Sequence, residues 1–331
     1  MTALMMSPDA APDTRWTRRE LAACLRALVY TIAPDGRLGS YAARMVRALQ
    51  AHFGTSFDPA ALEPIGEVEL AWCVAYPWQR QLLIQALVVG VLIDGAPDRQ
   101  QLERIQDFAR ALEVDEPGVV DLELYLRGRR WRLRRHLLAR FWAIDRIKAR
   151  IRERGFWRTV VPAIWATVFG RHRDPALAAR FGALRALPEG TLGRGFLDYL
   201  AANGFPLPGE KGAVTDMIVP HDLGHVLGGY GTTPEEEVQV ACFTAGHRAG
   251  DQFAMVLFVL FQFHLGVRMT PGAKAEVGYF DPRRALAAIA RGAAMKVDLS
   301  GDWNYWQVMG EPIETLRRRY GISRRIGGPL S

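Results

Sequence analysis

Apolar residues recur at the spacing of α-helices along almost the whole chain, and breaks rich in Gly and Pro separate one such stretch from the next. In the second half these breaks lie around Pro188, 206–212, 228–234, Pro271 and Pro282. No run of alternating apolar and polar residues predicts a β-strand. We therefore predict an all-α protein of two helical domains, because 331 residues are enough for each of two domains to bury a core.

Composition excludes several classes of protein. Apolar residues make up 49% of the chain, which is too many for a disordered protein. The longest apolar run, 253–260, is much shorter than the roughly 20 residues that a transmembrane helix needs. The N-terminus does not resemble a secretory signal, and the three cysteines, Cys24, Cys73 and Cys242, are too widely spaced for a disulfide framework. We expect a soluble or peripheral protein.

Positive charge is concentrated in one segment. Twelve Lys or Arg residues and only two acids lie between 127 and 154, and apolar residues are interleaved with them at helical spacing. We predict that 126–155 is a basic amphipathic helix connecting the two domains. Such a helix can bind an anionic membrane, which would place the protein on the inner face of a bacterial cytoplasmic membrane. A connecting helix with a solvated arginine face explains the pattern equally well, and no nucleic-acid motif accompanies the charge.

The first half contains an internal repeat. The stretch ALVYTIAPDG at 27–36 aligns without gaps on ALVVGVLIDG at 86–95, and a helical pattern follows each Asp-Gly. Two copies of helix, Asp-Gly turn and helix predict a small all-α domain over 1–125. This domain resembles the tellurite-resistance TerB-like domains, in which acids follow the Asp-Gly. The acids that fit are Asp94, Asp98 and Glu103. The first copy keeps Asp35 without a later acid, and Asp-Gly is also typical of a simple tight turn.

The most informative motif is His-Asp-Leu-Gly-His at 221–225. His221 and His225 are four positions apart, so on a helix both imidazoles project from one face and can share a cation. Asp222 adds a carboxylate beside them. Two histidines at this spacing are, by themselves, also typical of a partly exposed helix face, so the metal interpretation depends on a further ligand.

The chain reversal after the motif supplies a further ligand. Glycines within 228–231 break the helix, and a new helix is predicted to begin with Thr233 as N-cap and Pro234 in its first position. The capping-box rule assigns Glu236 to the backbone of Thr233. Glu237 is then left without a structural role, and a helical hairpin would return it over the two histidines.

The predicted site combines imidazole nitrogens with carboxylate oxygens, which suits Zn²⁺ or another first-row dication. We expect one divalent ion per chain, with Zn²⁺ first and Fe²⁺ or Mn²⁺ as alternatives. The predicted metal ligands, which would also be the catalytic residues through the metal, are His221, Asp222, His225 and Glu237.

Two other classes of metal enzyme use related motifs. A zinc protease would have Glu rather than Asp after the first His, as its general base, so the motif does not fit that class. An HD-type phosphohydrolase also uses a His-Asp pair, with another His upstream and an Asp well downstream. His172 and Asp251 could supply these two residues, so a phosphohydrolase stays as the weaker alternative.

Three motifs together resemble the family of coenzyme Q biosynthesis protein four. That family is marked by His-Asp-x-x-His, eleven residues and then Glu, and eleven residues separate His225 from Glu237 here. The segment LPEGTLGRGFLDYL at 187–200 is similar to the family's leucine-proline-rich segment. The family's C-terminal Trp-rich stretch is matched by Asp302, Trp303, Trp306, Glu311, Pro312, Leu316, Arg317 and Tyr320 to Ile322. The likeness covers about 156–322.

Two positions depart from the family pattern. Gly224 replaces a bulky apolar residue, which would leave room beside the metal, and Glu236 replaces the Gly that usually precedes the ligand. The resemblance implies a helical bundle over 156–331 with the metal site on facing helices. It also suggests Arg248 and Arg194 as substrate headgroup contacts, and the apolar helix at 253–263 as a wall for an isoprenoid tail.

The resemblance implies a role in ubiquinone (coenzyme Q) biosynthesis. The first interpretation is metal-dependent oxidative decarboxylation of a prenylated hydroxybenzoate, in which hydroxyl replaces the carboxylate at ring carbon one. The second is a non-catalytic lipid-binding scaffold that organises the biosynthetic enzymes. Both need the same ligands, so the motif does not separate them. The expected partners are a prenylated quinone precursor or isoprenoid lipid, other quinone-biosynthetic enzymes, an anionic membrane surface and a second copy of the chain.

Overall fold

The computed structural model describes residues 16–140, 173–213, 218–270, 273–301 and 303–325. Among these residues it contains fourteen α-helices, three short 3-10 turns and no β-strand, which confirms the all-α prediction. The helices of the first half are α1 (Arg18–Ile32), α2 (Ser40–Phe53), α3 (Glu67–Cys73), α4 (Pro77–Ile93), α5 (Arg99–Ala111), α6 (Pro117–Leu126) and α7 (Arg130–Ala139). Those of the second half are α8 (Pro175–Gly182), α9 (Leu192–Ala202), α10 (Val219–Gly228), α11 (Pro234–His247), α12 (Phe253–Phe263), α13 (Pro282–Ala293) and α14 (Ile313–Tyr320).

The internal repeat forms two helix–turn–helix units. Helices α1 and α4 pack against each other, and each ends at an Asp-Gly turn before α2 and α5 begin some residues later. The turn glycines Gly36 and Gly95 have φ of +76° and +86°, a left-handed conformation that Gly adopts without the steric penalty of a Cβ. The repeated sequence is therefore a repeated local structure.

The acids of the repeat have structural partners. Asp94 Oδ1 accepts the backbone N–H of Tyr41 at 3.1 Å, so it caps the first turn of α2. Asp98 is the N-cap of α5, and Glu103 pairs with Arg99 one turn away at 2.9 Å. Within the described ranges these acids are not among the residues grouped closely enough to hold a metal ion. The turn and capping roles account for them.

The two halves share one continuous apolar core. Helix α13 packs on α2, and α12 packs on α4, α6 and α7. Polar contacts cross the same boundary: the Tyr41 hydroxyl donates to the Gly278 carbonyl at 3.0 Å, and the His264 ring lies 2.6 Å from the Ile93 carbonyl. No helix in the described part of the chain has the length and apolarity needed to cross a bilayer.

The predicted connecting helix over 126–155 is interrupted. Helix α6 ends before Gly128, whose φ of +65° is left-handed, and α7 begins after it, because that backbone conformation does not continue an α-helix. The side chains of Leu133 and Leu137 in α7 are fully buried, while most of its arginines are exposed. The described part of this segment thus packs on the protein, and 141–155 lies outside the described residues.

Helices α11 and α13 make an unusually close contact at two glycines. A Cβ on Gly246 would lie 2.2 Å from the carbonyl oxygen of Ile289, and a Cβ on Gly292 would lie 2.0 Å from the carbonyl oxygen of Phe243. Only a residue without a side chain allows the two backbones to approach so closely. This contact positions α11, the helix that carries Glu237.

Candidate metal centre

Three of the four predicted ligands meet between α10 and α11. The Nε2 atoms of His221 and His225 are 3.1 Å apart. Glu237 lies opposite, with Oε2 3.6 Å from His221 Nε2 and Oε1 3.6 Å from His225 Nε2. No other group of three or more potential ligands lies this close together in the described part of the chain. The sequence prediction that Glu237 returns over the histidines is confirmed.

These distances fit a bound dication. The two 3.6 Å distances involve different oxygens of Glu237, so the carboxylate faces the two nitrogens with both of its oxygens. Imidazole nitrogens and carboxylate oxygens hold Zn²⁺ at about 2.0–2.2 Å, so these three side chains would hold one dication after small adjustments of their positions.

The ring of His225 is oriented by its neighbours. Its Nδ1 is 2.9 Å from the Gly231 carbonyl, so the proton belongs on Nδ1 and the Nε2 lone pair faces the site. Tyr199 from α9 stacks on the ring, with centroids 5.3 Å apart. Burial and the charge of His221 lower the pKa of His225 to about 4, so the ring is neutral and able to bind an ion at neutral pH.

His221 and Glu237 form an ion pair. Burial opposes a charge on either side chain, yet the contact with Glu237 outweighs it and raises the pKa of His221. Burial likewise works against the Glu237 carboxylate, but the hydrogen bond and charge of His221 lower its pKa. Without an ion, protonated His221 balances the negative charge of Glu237. A histidine binds a metal ion through a neutral ring nitrogen, so ion binding would displace the His221 proton.

Asp222 stands apart from the three convergent ligands. Its side chain is buried on α10, and it is not part of the group whose ligand atoms come together. Burial, reinforced by Glu237 and opposed by His221, raises the pKa of Asp222 to about 6. Its predicted role as a fourth ligand stays a prediction.

The capping box predicted between Thr233 and Glu236 does not form. Thr233 begins α11 as predicted, but its side chain makes no capping hydrogen bond. The Thr233 hydroxyl donates to Glu236 Oε2 at 3.4 Å, in place of the predicted bond to the Thr233 backbone. Glu236 also accepts a hydrogen bond from Arg325 Nη1 at 2.6 Å, and hydrogen bonds from Arg325 and the Gly231 backbone lower its pKa against the effect of burial. The ion pair with a distant arginine competes successfully with the local cap, and Glu236 is still kept away from the metal site.

Three arginines hold the last turn of α10. Arg317 donates to the carbonyls of Leu227 and Val226 at 2.9 and 3.1 Å, and Arg291 donates to the Gly228 carbonyl at 2.7 Å. Arg325 reaches the next carbonyl, that of Gly229, at 3.1 Å. Carbonyls at a helix C-terminus lack intrahelical partners and attract cations, so these contacts fix the end of the helix that carries both histidines.

The three sequence motifs meet in space. The backbone N–H of Leu192, in the leucine-proline-rich segment, donates to the Glu311 carbonyl at 2.9 Å, and Ile313 donates to the Gly190 carbonyl at 2.9 Å. Helix α10 packs on α9 from the first motif and on α14 from the third. Trp306 of the Trp-rich stretch packs on Phe181, with centroids 4.6 Å apart. Asp302 lies outside the described residues.

The remaining predicted site residues are engaged elsewhere. Arg194 pairs with Asp198 on the surface of α9 at 3.2 Å. Arg248 is buried where α11 ends, 3.5 Å from the Arg140 carbonyl. Arg140 also pairs with Asp251 at 2.8 Å, which occupies the aspartate that a phosphohydrolase would use, while His172 lies outside the described residues. The apolar helix at 253–263 is the core helix α12.

A small cavity opens beside His221. It has a volume of about 10 Å³, and Gly224 lines it together with Thr244, His247 and Ser300. A Cβ on Gly224 would meet only a Val240 methyl, at 3.7 Å, so the absence of a side chain leaves room there as predicted.

Sequence reasoning missed the groups behind this cavity. The His247 side chain is 2% exposed, and its Nδ1 lies 3.5 Å from Asp298 Oδ1. Burial works against the Asp298 carboxylate, but hydrogen bonds from His247 and Ser300 lower its pKa. No spacing in the sequence connects His247 with Asp298, since the contact arises from tertiary packing.

Comparison with known proteins leaves the chain without an assigned family. No protein family and no curated protein matches it. Among solved structures it is similar to the crystal structure of a candidate ubiquinone biosynthesis protein from Nostoc punctiforme, with 16% sequence identity and a TM-score of 0.32. That likeness covers 76% of this chain and 100% of the other. This TM-score is too low to indicate a shared fold or function.

Proposed function

We propose that the protein acts in ubiquinone biosynthesis as a metal-dependent oxidative decarboxylase of a prenylated hydroxybenzoate. In this reaction the carboxylate leaves ring carbon one as CO₂ and a water molecule supplies the new hydroxyl oxygen, while dioxygen accepts the two electrons and two protons and is released as hydrogen peroxide. The observation that carries the proposal is the convergence of the ligand atoms of His221, His225 and Glu237 at distances that fit one dication. The resemblance of the three motifs to coenzyme Q biosynthesis protein four supplies the substrate class.

The side chains around the triad suit an anionic aromatic ring. When bound, a divalent ion would supply a Lewis acid that fixes the ring carboxylate and withdraws charge as CO₂ leaves. His225 presents a neutral nitrogen, and the Tyr199 ring stacked on it shields that face from water. Burial raises the pKa of Asp222 to about 6 in the absence of an ion, and we assign this carboxyl as the candidate for proton exchange with the ring hydroxyl.

A non-catalytic lipid-binding scaffold is the second candidate, and one observation favours it. The cavity that reaches His221 has a volume of about 10 Å³, which is room for about one water molecule. A substrate ring would have to open this cavity, whereas an ion that only joins α10 to α11 needs no further room. In that case the metal would hold a surface on which other quinone-biosynthetic enzymes assemble.

Turnover by the purified protein decides between the two. A prenylated hydroxybenzoate labelled with ¹³C in its carboxylate is supplied aerobically with Fe²⁺, Mn²⁺ or Zn²⁺, and mass spectrometry measures ¹³CO₂ and the hydroxylated ring. We expect Asp222→Asn and His221→Ala to lower turnover about 100-fold or more while lipid binding remains. Burial of the tail gives most of the affinity, at roughly 25 cal/mol per Å² of apolar surface, and does not need the metal.

A matched control lies two residues before Glu237. Glu235→Gln replaces a carboxylate by an amide, as Asp222→Asn does, but it lies in the first turn of α11 outside the triad. Its turnover should therefore equal that of the wild type. Failure to release ¹³CO₂ with any of the three metals would contradict the enzyme and favour the scaffold.

We also propose that the exposed arginines of α7 bind an anionic membrane. Trp131 is 67% exposed beside Arg135, and an exposed aromatic ring among basic side chains is typical of an interfacial helix. Replacing Arg132 and Arg134 by Gln should weaken binding to vesicles with anionic lipid about 30-fold, at about 1 kcal/mol per basic residue. High salt should release the wild type, because it screens exposed charges.

Vesicle sedimentation measures this binding. The control replaces Arg283 and Arg284, which are exposed on α13, by Gln and thus removes the same charge from another surface. An equal loss of binding in both variants, or binding that ignores salt, would contradict a specific role for α7.

A further inference from the structure

The candidate metal centre is not sealed from solvent. The side chains of His221 and Glu237 are each 26% exposed, whereas the side chain of His225 is fully buried. The ligand atoms of the three side chains lie within 4.8 Å of one another, so small molecules could reach an ion held there from the side of His221 and Glu237. A ligand of that ion would have to fit the groups that surround this open side.

Tyr199 forms part of the wall around the centre. Its ring stacks on the ring of His225, with centroids 5.3 Å apart and planes 28° apart. The side chain of Asn203 donates to the Tyr199 carbonyl at 2.8 Å and accepts the Thr232 hydroxyl at 2.6 Å. The end of α9 is thereby tied to the loop between α10 and α11. The position of Tyr199 relative to the triad is thus fixed both by its ring and by its backbone.

The hydroxyl group of Tyr199 is accessible and has no internal partner. It makes no hydrogen bond with any described residue, and it is not one of the polar atoms that are buried from solvent without a partner. Burial and then the charges of Asp222 and Glu237 raise the pKa of Tyr199, so both carboxylates lie near enough to act on its oxygen. A tyrosine is protonated at neutral pH, so this oxygen offers a hydrogen-bond donor on the side of the triad.

The charges around the centre call for a donor of this kind. Asp222 and Glu237 are negative when ionised and can then only accept hydrogen bonds. The neighbouring Glu236 is paired with Arg325 at 2.6 Å, so their two charges offset each other. A dication would offset the two remaining carboxylates, and the outer oxygens of an anion bound to it would still need N–H or O–H partners. Tyr199 supplies an O–H without adding charge.

We propose that the Tyr199 hydroxyl donates a hydrogen bond to an oxygen of the carboxylate or phenolate that the ion holds. This inference rests on the proposed function, whose substrate carries both kinds of oxygen, and it adds the residue that fixes the direction of that group. Hydrogen bonds to a charged oxygen are short and strong, so they orient a ligand. One side chain would then have two roles, because its ring orients His225 while its hydroxyl orients the ligand.

Calorimetry on the full chain loaded with Zn²⁺ tests the hydroxyl by itself. The probe is acetohydroxamate, a small ligand whose two oxygens bind zinc and carry a negative charge when bound. Tyr199→Phe should weaken its binding about 10–100-fold, the range for loss of a hydrogen bond to a charged group. The affinity for Zn²⁺ should stay the same, because phenylalanine keeps the ring that stacks on His225. Acetamide, which has no anionic oxygen, should not bind detectably.

Tyr125→Phe is the matched control, since it removes a tyrosine hydroxyl from α6, and its binding of acetohydroxamate should equal that of the wild type. Equal binding by the wild type and Tyr199→Phe would overturn the inference, as would acetamide binding as tight as that of acetohydroxamate. Loss of Zn²⁺ from Tyr199→Phe would also overturn it, because the hydroxyl would then support the ion or the fold.

The outcome separates this inference from the proposed reaction. Binding of acetohydroxamate that depends on Tyr199, in a protein that releases no CO₂ from a prenylated hydroxybenzoate, would contradict the enzyme and leave the role of Tyr199 standing. Turnover with unaltered probe binding in Tyr199→Phe would do the reverse. A wild-type protein that binds no Zn²⁺, Fe²⁺ or Mn²⁺ would overturn both.

Discussion

Replacing His225 by alanine or Glu237 by glutamine is expected to remove the bound ion from the purified protein, which should otherwise carry about one dication per chain. Each change takes one of three convergent ligands from the site. Changes to groups that only orient metal ligands lower affinity about 10–100-fold, so loss of a ligand itself should exceed 100-fold. Metal content after gel filtration and titration with Zn²⁺ under competition from a chelator measure both effects.

Two neighbouring glutamates provide the controls for this experiment. Glu235→Gln should retain the ion, and Glu236→Gln should retain it too, although the ion pair with Arg325 is lost and the start of α11 is weakened. Loss of the ion from Glu236→Gln but not from Glu237→Gln would contradict the assignment of ligands.

Metal affinity should also depend on pH in a defined direction. The pKa of His221 is raised by Glu237, so its ring keeps a proton to a higher pH than an ordinary histidine. An incoming ion must displace that proton, so affinity should fall as pH drops below this pKa and level off above it. His225 contributes little, since its pKa of about 4 leaves it neutral through that range.

The second large effect is expected at the contact between α11 and α13. Gly246→Ala or Gly292→Ala would place a Cβ 2.2 or 2.0 Å from a backbone carbonyl oxygen of the other helix. A side chain can rotate away from such a clash, but the backbone cannot, so the helices must separate. We expect the free energy of unfolding to fall by about 3 kcal/mol or more, the upper end for overpacked cores. Urea unfolding followed by circular dichroism gives this value.

Gly224→Ala is the matched control for the glycine variants. Gly224 lies inside α10, and its new Cβ would meet only Val240 at an ordinary 3.7 Å. Alanine in a helix interior is about 0.5–1 kcal/mol more favourable than glycine, so this variant should be slightly more stable than the wild type. If all three variants lost stability equally, close approach of the two backbones would not be the reason.

Local sequence rules predicted the all-α fold, the Asp-Gly turns and the convergence of His221, His225 and Glu237, but not the break at Gly128 in the connecting helix. They succeeded because the spacing of His221 and His225 is a property of one helix, and because the glycines after them permit a reversal that brings Glu237 back. The same rules assigned Glu236 to the backbone of Thr233, since they consider only its nearest neighbours along the chain. They missed its ion pair with Arg325, which becomes adjacent only when α14 has packed on α10.

Features formed by packing between distant segments were beyond sequence reasoning. Nothing in the pattern around Tyr199 indicates that it stacks on His225. In the sequence, Gln85 and Gln252 are ordinary helix and loop residues. Their side-chain oxygens are buried without a hydrogen-bond partner only because the two halves of the chain pack together. The spacing of apolar residues predicts which face of a helix is buried, but it does not predict which other segment packs on that face.

The contacts of Gly231 couple the candidate metal centre to a distant segment of the chain. Its carbonyl orients His225, and its N–H contributes to the position of Glu236, which pairs with Arg325. Arg325 also donates to the Gly229 carbonyl in the same loop. Removal of the Arg325 side chain would therefore loosen the support of His225 through the loop backbone, with all three convergent side chains still present.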